Sequence, residues 1–218
     1  VNDSEEGRYN HIENLRSLSF KDRLGKEKDS LGLFLTGHMV DEYKEDFEHF
    51  TDLRLSKLRT GQSAVTVGGL VFAMRAMKSK RGGTNAFVTL DDKTGRLEVQ
   101  IFGELYDQVR EKLKKDEIIF VRGAIEDDDF TGGKKMRASE VMTLEEVRER
   151  KVSKLKVEID TCNLCDGFID ELAEILLPFR PRDTVGCPVA VKIVNKMSQG
   201  DVILGDDWRV IPHDDLLQ

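Results

Sequence analysis

The sequence predicts a mixed α and β chain built round a five-stranded Greek-key barrel, with a preceding helical segment and a small C-terminal α/β domain. Three observations predict it. From Ala64 the apolar residues change to a spacing of two and keep it through three successive segments. A helical pattern then intervenes, and two more alternating segments follow. Three strands, a helix and two further strands is the order of the OB-fold, and the helix position disfavours an SH3-like barrel.

The elements follow in order. Val1 to about Ser30 is polar and weakly periodic, and reads as a linker or peripheral helix. Leu31 to Leu35 is a short apolar run closed by Thr36-Gly37-His38. Tyr43, Phe47 and Phe50 then recur at helical spacing on one face. Val65 to Lys78 is a long strand, with a bulge or bend expected at Gly68-Gly69. Lys80-Arg81-Gly82-Gly83 forms a hairpin loop, and Ala86, Val88 and Leu90 alternate inward after it. Asp91 to Gly95 is a second turn, leading to Leu97, Val99 and Ile101, with Glu98 and Gln100 facing out. Leu105, Val109 and Leu113 predict a helix. Ile118–Ile125 and Lys134–Met142 are strands four and five, joined by a turn over Asp127–Gly133. Thr143 with Glu146 three positions on has the spacing of a capping box.

The last segment reads as a strand at Leu155–Ile159 and a helix from Phe168 to Leu176, ended by Pro178 and Pro181. Strands are expected at Val189–Ile193, Val202–Leu204 and Trp208–Ile211. A domain of this size has a marginal core and is expected to lean on a partner or neighbour. The organisation expected is therefore 1–60 as a helical linker segment, 61–151 as the OB-fold nucleic-acid-binding domain and 152–218 as the partner-docking domain.

Composition sets limits on function. Hydrophobic residues make up 39% and charged residues 34% of 218. No apolar run approaches the roughly 18 residues of a membrane span, so a membrane role is not expected. Three cysteines form no disulfide framework, which points to a reducing, cytoplasmic setting. The chain opens on Val1, as expected of a piece of something longer. The net charge of −7 argues against a generic polyanion binder, but its distribution is uneven. Residues 1–60 carry 10 basic and 13 acidic side chains, 61–151 carry 17 and 16, and 152–218 carry 7 and 12. Only the middle segment is not acidic, and local clustering decides whether a groove holds phosphates.

The stretch Thr89-Leu90-Asp91-Asp92-Lys93-Thr94-Gly95-Arg96-Leu97-Glu98-Val99 resembles the OB domain of the bacterial DNA polymerase III alpha subunit. The likeness extends through Gly69-Leu70-Val71, Phe102, Asp128 to Gly133, Lys135-Met136 and Glu140-Val141-Met142. Upstream, Lys26 to His38 resembles the segment before this domain, and Trp208-Arg209-Val210 with Leu216-Leu217 resembles the C-terminal domain. The resemblance covers most of residues 20–218. It implies a parent DNA-directed DNA polymerase, a nucleotidyltransferase of the bacterial replisome, whose OB domain contacts single-stranded template. It also implies a C-terminal domain that docks the tau subunit of the clamp loader, with other replisome subunits reached through the parent. No Gln-x-x-Leu-Phe-type match accompanies it, so clamp binding is not expected here. The polymerase carboxylates lie in other domains, so the segment is predicted to be catalytically silent and without cofactor.

Binding a single strand needs cations along a groove and flat side chains for bases to stack on. Arg75, Lys78, Lys80 and Arg81 supply cations around the first hairpin, and Lys134, Lys135 and Arg137 around the loop between strands four and five. These loops flank the binding face of an OB barrel. A lone basic hairpin is also a common solubilising tip. Phe87 alternates against the core set and is expected outside, as a stacking platform or as packing on a neighbouring domain. Phe102 also points away from that set and could stack a base in the same way, but because it precedes the helix it is expected in the core. Phe130 sits beside Asp127, Asp128 and Asp129, which would turn that tip away from DNA.

Other motifs read as structural. Cys162-Asn163-Leu164-Cys165 lacks further zinc ligands at usual spacing, since only Cys187 and His213 remain, and is expected to be incidental. His38 has no nucleophile or paired acid near it, and Asp91-Asp92 are turn formers before Lys93-Thr94-Gly95. Trp208 is expected in the small domain's core, or as a partner-docking anchor if partly exposed. The competing readings are an anticodon-type OB domain binding tRNA, a protein-binding OB adaptor and a small thiol enzyme.

Overall fold

The computed structural model describes residues 23, 26–27, 30–31, 37–79, 82–128, 132–160, 167–182, 186–194 and 199–217. It divides into two units, residues 1–48 and 49–218. In the first, α1 spans Met39–Glu42 and α2 begins at Lys44, running to Phe50. His38 caps α1: its Nδ1 accepts from the Val40 N–H at 3.2 Å, and its own N–H donates to Asp41 at 3.2 Å. That reciprocal pair satisfies donors a helix start leaves open, so His38 is structural, as its sequence context predicts. Tyr43, Phe47 and Phe50 are all buried, as their spacing requires. The apolar run at Leu33–Leu35 lies outside the described residues.

In the second unit β1 (Val65–Lys78), β2 (Thr84–Asp91), β3 (Arg96–Ile101), β4 (Ile118–Asp127) and β5 (Lys134–Thr143) close into a barrel of order β1-β2-β3-β5-β4. The expected OB-fold is therefore the observed one. Strand alternation supplies the core: Val67, Val88, Val99, Val121 and Met136, one from each strand, are fully buried. α3 (Gly103–Val109) lies between β3 and β4. The spacing of Leu105, Val109 and Leu113 predicts one helix, but its end tightens into a 3₁₀ turn over Arg110–Lys112, which still buries Leu113. Leu55 and Leu58 belong to the same barrel core.

Glycines set the barrel's curvature. The bend expected at Gly68-Gly69 lies a little further on: the β1–β2 register shifts between Val71 and Ala73. Gly69 serves close approach instead, since a Cβ there would stand 2.9 Å from the Leu90 Cβ. Gly123 sits at the register shift of β4 against β5, where a Cβ would lie 2.2 Å from the Arg137 carbonyl oxygen. β1 pairs with β4 only through Leu70; its later residues pair with β2.

Asp92 ties the β2–β3 turn to the segment before the barrel. Its buried carboxylate accepts from the N–H groups of Leu55 (2.8 Å), Thr94 (2.9 Å) and Gly95 (3.1 Å), and from the Thr94 hydroxyl (2.7 Å). These are the bonds of a turn former, as the sequence predicts. α4 (Leu144–Lys151) opens on the expected capping box of Thr143 and Glu146. Burial alone would raise the Glu146 carboxyl, but the Lys112 ammonium and the Thr143 N–H outweigh it and hold it below its ordinary value. α4 packs back on β4 and β5, and Phe50 meets Phe120 edge-on at 6.1 Å. Phe120, on the outer side of β4, is thereby buried, while Arg122 and Glu126 further along that strand stay exposed.

The small domain has a sheet of β6 (Leu155–Asp160), β7 (Val189–Val194) and β8 (Gln199–Ile203), with α5 (Phe168–Leu176) and a last turn, α6 (Asp214–Leu217). β6 and β7 are parallel, β7 and β8 antiparallel. Leu176, Cys187, Val189 and Val210 form its small core. The strand expected at Trp208–Ile211 is not one. Trp208 ends a 3₁₀ turn, Asp206–Trp208, and only Val210 bridges, to Cys187. Arg148 of α4, itself buried, pairs with Asp214 and fastens the chain's end to the helix that follows the barrel.

Replacing Gly123 with Ala forces β4 away from the Arg137 carbonyl. We expect a loss of about 1–3 kcal/mol, the cost of overpacking, read as a lower urea midpoint. An unchanged midpoint would mean that the strands separate there without strain.

Candidate nucleic-acid interface

The outer surface of β1, β2, β3 and β5 carries the site. Cross-strand register places Arg75 opposite Phe87, Phe87 opposite Gln100, and Gln100 opposite Arg137. Four strands thus contribute one residue each to a single row. Ala86, Val88, Val99, Ile101 and Met136, which flank Phe87, Gln100 and Arg137, point into the core, which fixes those three on the outside, and Arg75 joins them through its pairing with Phe87.

Phe102 lies just past β3, and the expectation that it belongs to the core is corrected. It is half-buried outside the barrel core and meets the Phe87 ring edge-on, with centroids 6.5 Å apart. Alternation from Ile101 carries it outward, and the two rings, nearly perpendicular, make an apolar patch on the outer surface. Each ring is capped by a cation: the Arg75 guanidinium lies 4.7 Å from the Phe87 centroid, and that of Arg137 lies 5.7 Å from the Phe102 centroid. Rings for bases beside guanidinium groups for phosphates is the composition of a single-strand platform.

Arg75 also pairs with Glu98 at 3.0 Å, and Gln100 donates to the other oxygen of that carboxylate at 3.4 Å. Arg137 has no carboxylate partner among the described residues. Lys78 is exposed at the end of β1, opposite Thr84. Gly82 and Gly83 of the hairpin loop have φ of +86° and +82°, a left-handed backbone that favours glycine. Lys80 and Arg81 lie outside the described residues.

Lys134 and Lys135 open β5, as the strand expected from Lys134 requires, but both are engaged locally and are not free loop cations. Lys134 donates to the Leu58 carbonyl, and Lys135 stands 4.0 Å from Asp128 with its side chain only 19% exposed. They sit two and three residues from Arg137, about 7–10 Å along the strand. The structure thus brings Arg75, Phe87 and Arg137 together, with Lys78 at one end, and leaves Lys134 and Lys135 outside the row. Sequence reasoning had Phe102 pointing outward but preferred the core for it, and it missed the pairing of Glu98 with Arg75. Glu98 was legible as outward-facing, but its partner depends on the β1–β2 register.

The small domain offers a different surface. Trp208 is half-buried beneath the Arg180 guanidinium, at 5.7 Å, and lines a groove of about 690 Å³ with Ile159, Phe168, Leu172, Val191 and Val202. Ile169, Ile175, Leu177 and Ile203 are exposed around this domain. Cys187 is buried, and burial pushes its thiol up. Cys162, Cys165 and Phe130 lie outside the described residues. His213 stacks on Phe179 at 6.2 Å and faces Asp215 at 3.4 Å. Among the described residues no group of His, Cys, Asp and Glu could hold a metal ion, and no helix is long and apolar enough to cross a membrane.

Residues 65–144 match the family model described as an OB-fold nucleic acid binding domain. The chain is 35% identical over 210 residues to the DNA polymerase III subunit alpha of Pseudomonas aeruginosa, covering 96% of this chain and 18% of that protein. It is 42% identical over 200 residues to that of Vibrio cholerae, covering 90% and 17%. The resemblance to this subunit is thereby shown, and the chain spans under a fifth of the length of the curated relatives it matches. Among solved structures, a domain of replication protein A from Methanococcus maripaludis aligns with a TM-score of 0.37 at 22% identity, over 44% of this chain and 97% of that one.

Proposed function

We propose that this chain is the C-terminal region of a bacterial replicative DNA polymerase, holding single-stranded template on its barrel and docking the clamp-loader tau subunit through its small domain. The observation that carries the first half is the row Arg75, Phe87, Gln100 and Arg137, with Phe102 beside it. It offers stacking surfaces and cations but no array of base-edge partners, which suits a strand held without regard to sequence. Lys78 adds positive charge at the end of β1, Lys80 and Arg81 follow it in the sequence, and Lys134 and Lys135 border the face from β5. The similarity to the alpha subunit along nearly all of the chain supports the replicative setting.

In this reading residues 1–60 link, 61–151 bind nucleic acid and 152–218 dock a partner, in the cytoplasm. The parent polymerase does the nucleotidyl transfer, and this segment positions the strand. The small domain supports docking by its net acidity and by the apolar groove beside Trp208. An acidic surface repels phosphate, and an apolar groove with an aromatic at its edge suits a protein.

Three variants test this division. Phe87→Ala weakens single-stranded DNA binding by about 1–3 kcal/mol, the worth of one stacked base. Arg137→Gln weakens it and flattens its salt dependence by about 0.7 in log–log slope. Both are read by fluorescence anisotropy at several salt concentrations, with RNA of the same sequence alongside; stronger binding of RNA would favour an anticodon-type domain. Trp208→Ala abolishes co-elution with tau while leaving DNA binding intact. Undiminished co-elution would move the tau contact elsewhere.

A further inference from the structure

Arg75 does not project freely from the barrel. From its place opposite Phe87 it crosses β2, lies over the ring at 4.7 Å, and ends on Glu98 of β3 at 3.0 Å. The ring surface on which a base would stack is therefore taken by a guanidinium. The charge that a phosphate would meet is answered by a carboxylate. Gln100 holds the other oxygen of that carboxylate at 3.4 Å, so Glu98 is fixed from two sides. The neighbouring pair is looser and unlatched: Arg137 lies 5.7 Å from the Phe102 centroid with no carboxylate partner among the described residues.

Building on the single-strand reading above, we propose that Glu98 sets the affinity of this face as a latch. Its carboxylate occupies the place of a phosphate, keeps Arg75 across Phe87, and is displaced before a base stacks there. The exchange leaves a signature in the counterions. When a strand enters, a phosphate replaces the carboxylate on Arg75 and gives up its condensed cation. The released Glu98 takes up a cation from solution, so this contact adds nothing to the salt dependence. Without the carboxylate, the same contact releases a cation with no compensation, and the slope of log K on log salt steepens by about 0.7, the value for one contact on a single strand. A carboxylate kept on the binding face gives a weak, exchangeable hold, which suits a strand that has to move on.

The test uses the 218-residue chain and a labelled oligothymidylate, with anisotropy titrations at several salt concentrations. The proteins are the wild type, Glu98→Gln, Arg75→Gln and the double variant. Glu98→Gln is expected to bind up to about fivefold tighter at low salt, the worth of an exposed ion pair, with a slope steeper by about 0.7. Both changes are expected to vanish in the Arg75→Gln background. An unchanged slope in Glu98→Gln overturns the latch, and so does an equal gain without Arg75, which would make Glu98 a diffuse negative charge. Wild-type binding with no effect of Glu98→Gln sinks the latch alone. Absence of salt-sensitive binding in all four proteins sinks the single-strand reading, and the latch with it.

Discussion

The parallel ladder between β3 and β5 decides where the functional groups stand. It is short, pairing Glu98, Val99 and Gln100 with Lys135, Met136 and Arg137. It closes the barrel, and in closing it brings Arg137 into line with residues more than thirty positions earlier in the chain. A slip of one residue would turn Arg137 inward and Met136 out. Two features hold that register. Met136 is fully buried, and Gly123 lets β4 approach the Arg137 backbone more closely than any side chain would allow. The binding row is thus a consequence of core packing on the opposite face of the same strands.

Covering elements select which part of the barrel remains available. α4 and Phe50 occupy the outside of β4, where Phe120 would otherwise be exposed. The segment carrying Leu55 and Leu58 joins the core, tied through Asp92. The β1–β2–β3 surface and the first part of β5 lie clear of these elements. That surface is modest in charge, because Glu98 answers Arg75 and Asp128 faces Lys135. A chain with a net charge of −7 can still present such a face, since the excess acid lies mainly in residues 1–60 and 152–218.

Most of the barrel was legible in the sequence because alternation and turn chemistry are local. Ala86, Val88 and Leu90 declared their side of β2, and Asp92 with Gly95 declared the turn. The capping boxlike spacing of Thr143 and Glu146 located a helix start. The site was half legible. Arg75, Phe87 and Arg137 were chosen for charge and outward phase, and the structure sets them in one row. Phe102 was misjudged because it stands at a strand end, where period-two phase and the next helix compete. Lys134 and Lys135 were placed at the start of strand five and read as binding cations, but the Leu58 carbonyl and Asp128 that engage them could not be foreseen, because the fold brings them close. In the small domain Trp208 failed as a strand residue for a similar reason: a 3₁₀ turn follows Gly205, and one bridge at Val210 replaces a ladder.

The account stands on the claim that a single strand lies across Phe87 and Phe102. Photocrosslinking tests it most directly, with a single-stranded oligonucleotide carrying photoreactive bases and the adducts mapped by mass spectrometry on the 218-residue chain. The account predicts adducts on the peptides of β2 and the end of β3, at Phe87 and Phe102. Adducts confined to the small domain, or to the outer side of β4, would contradict it.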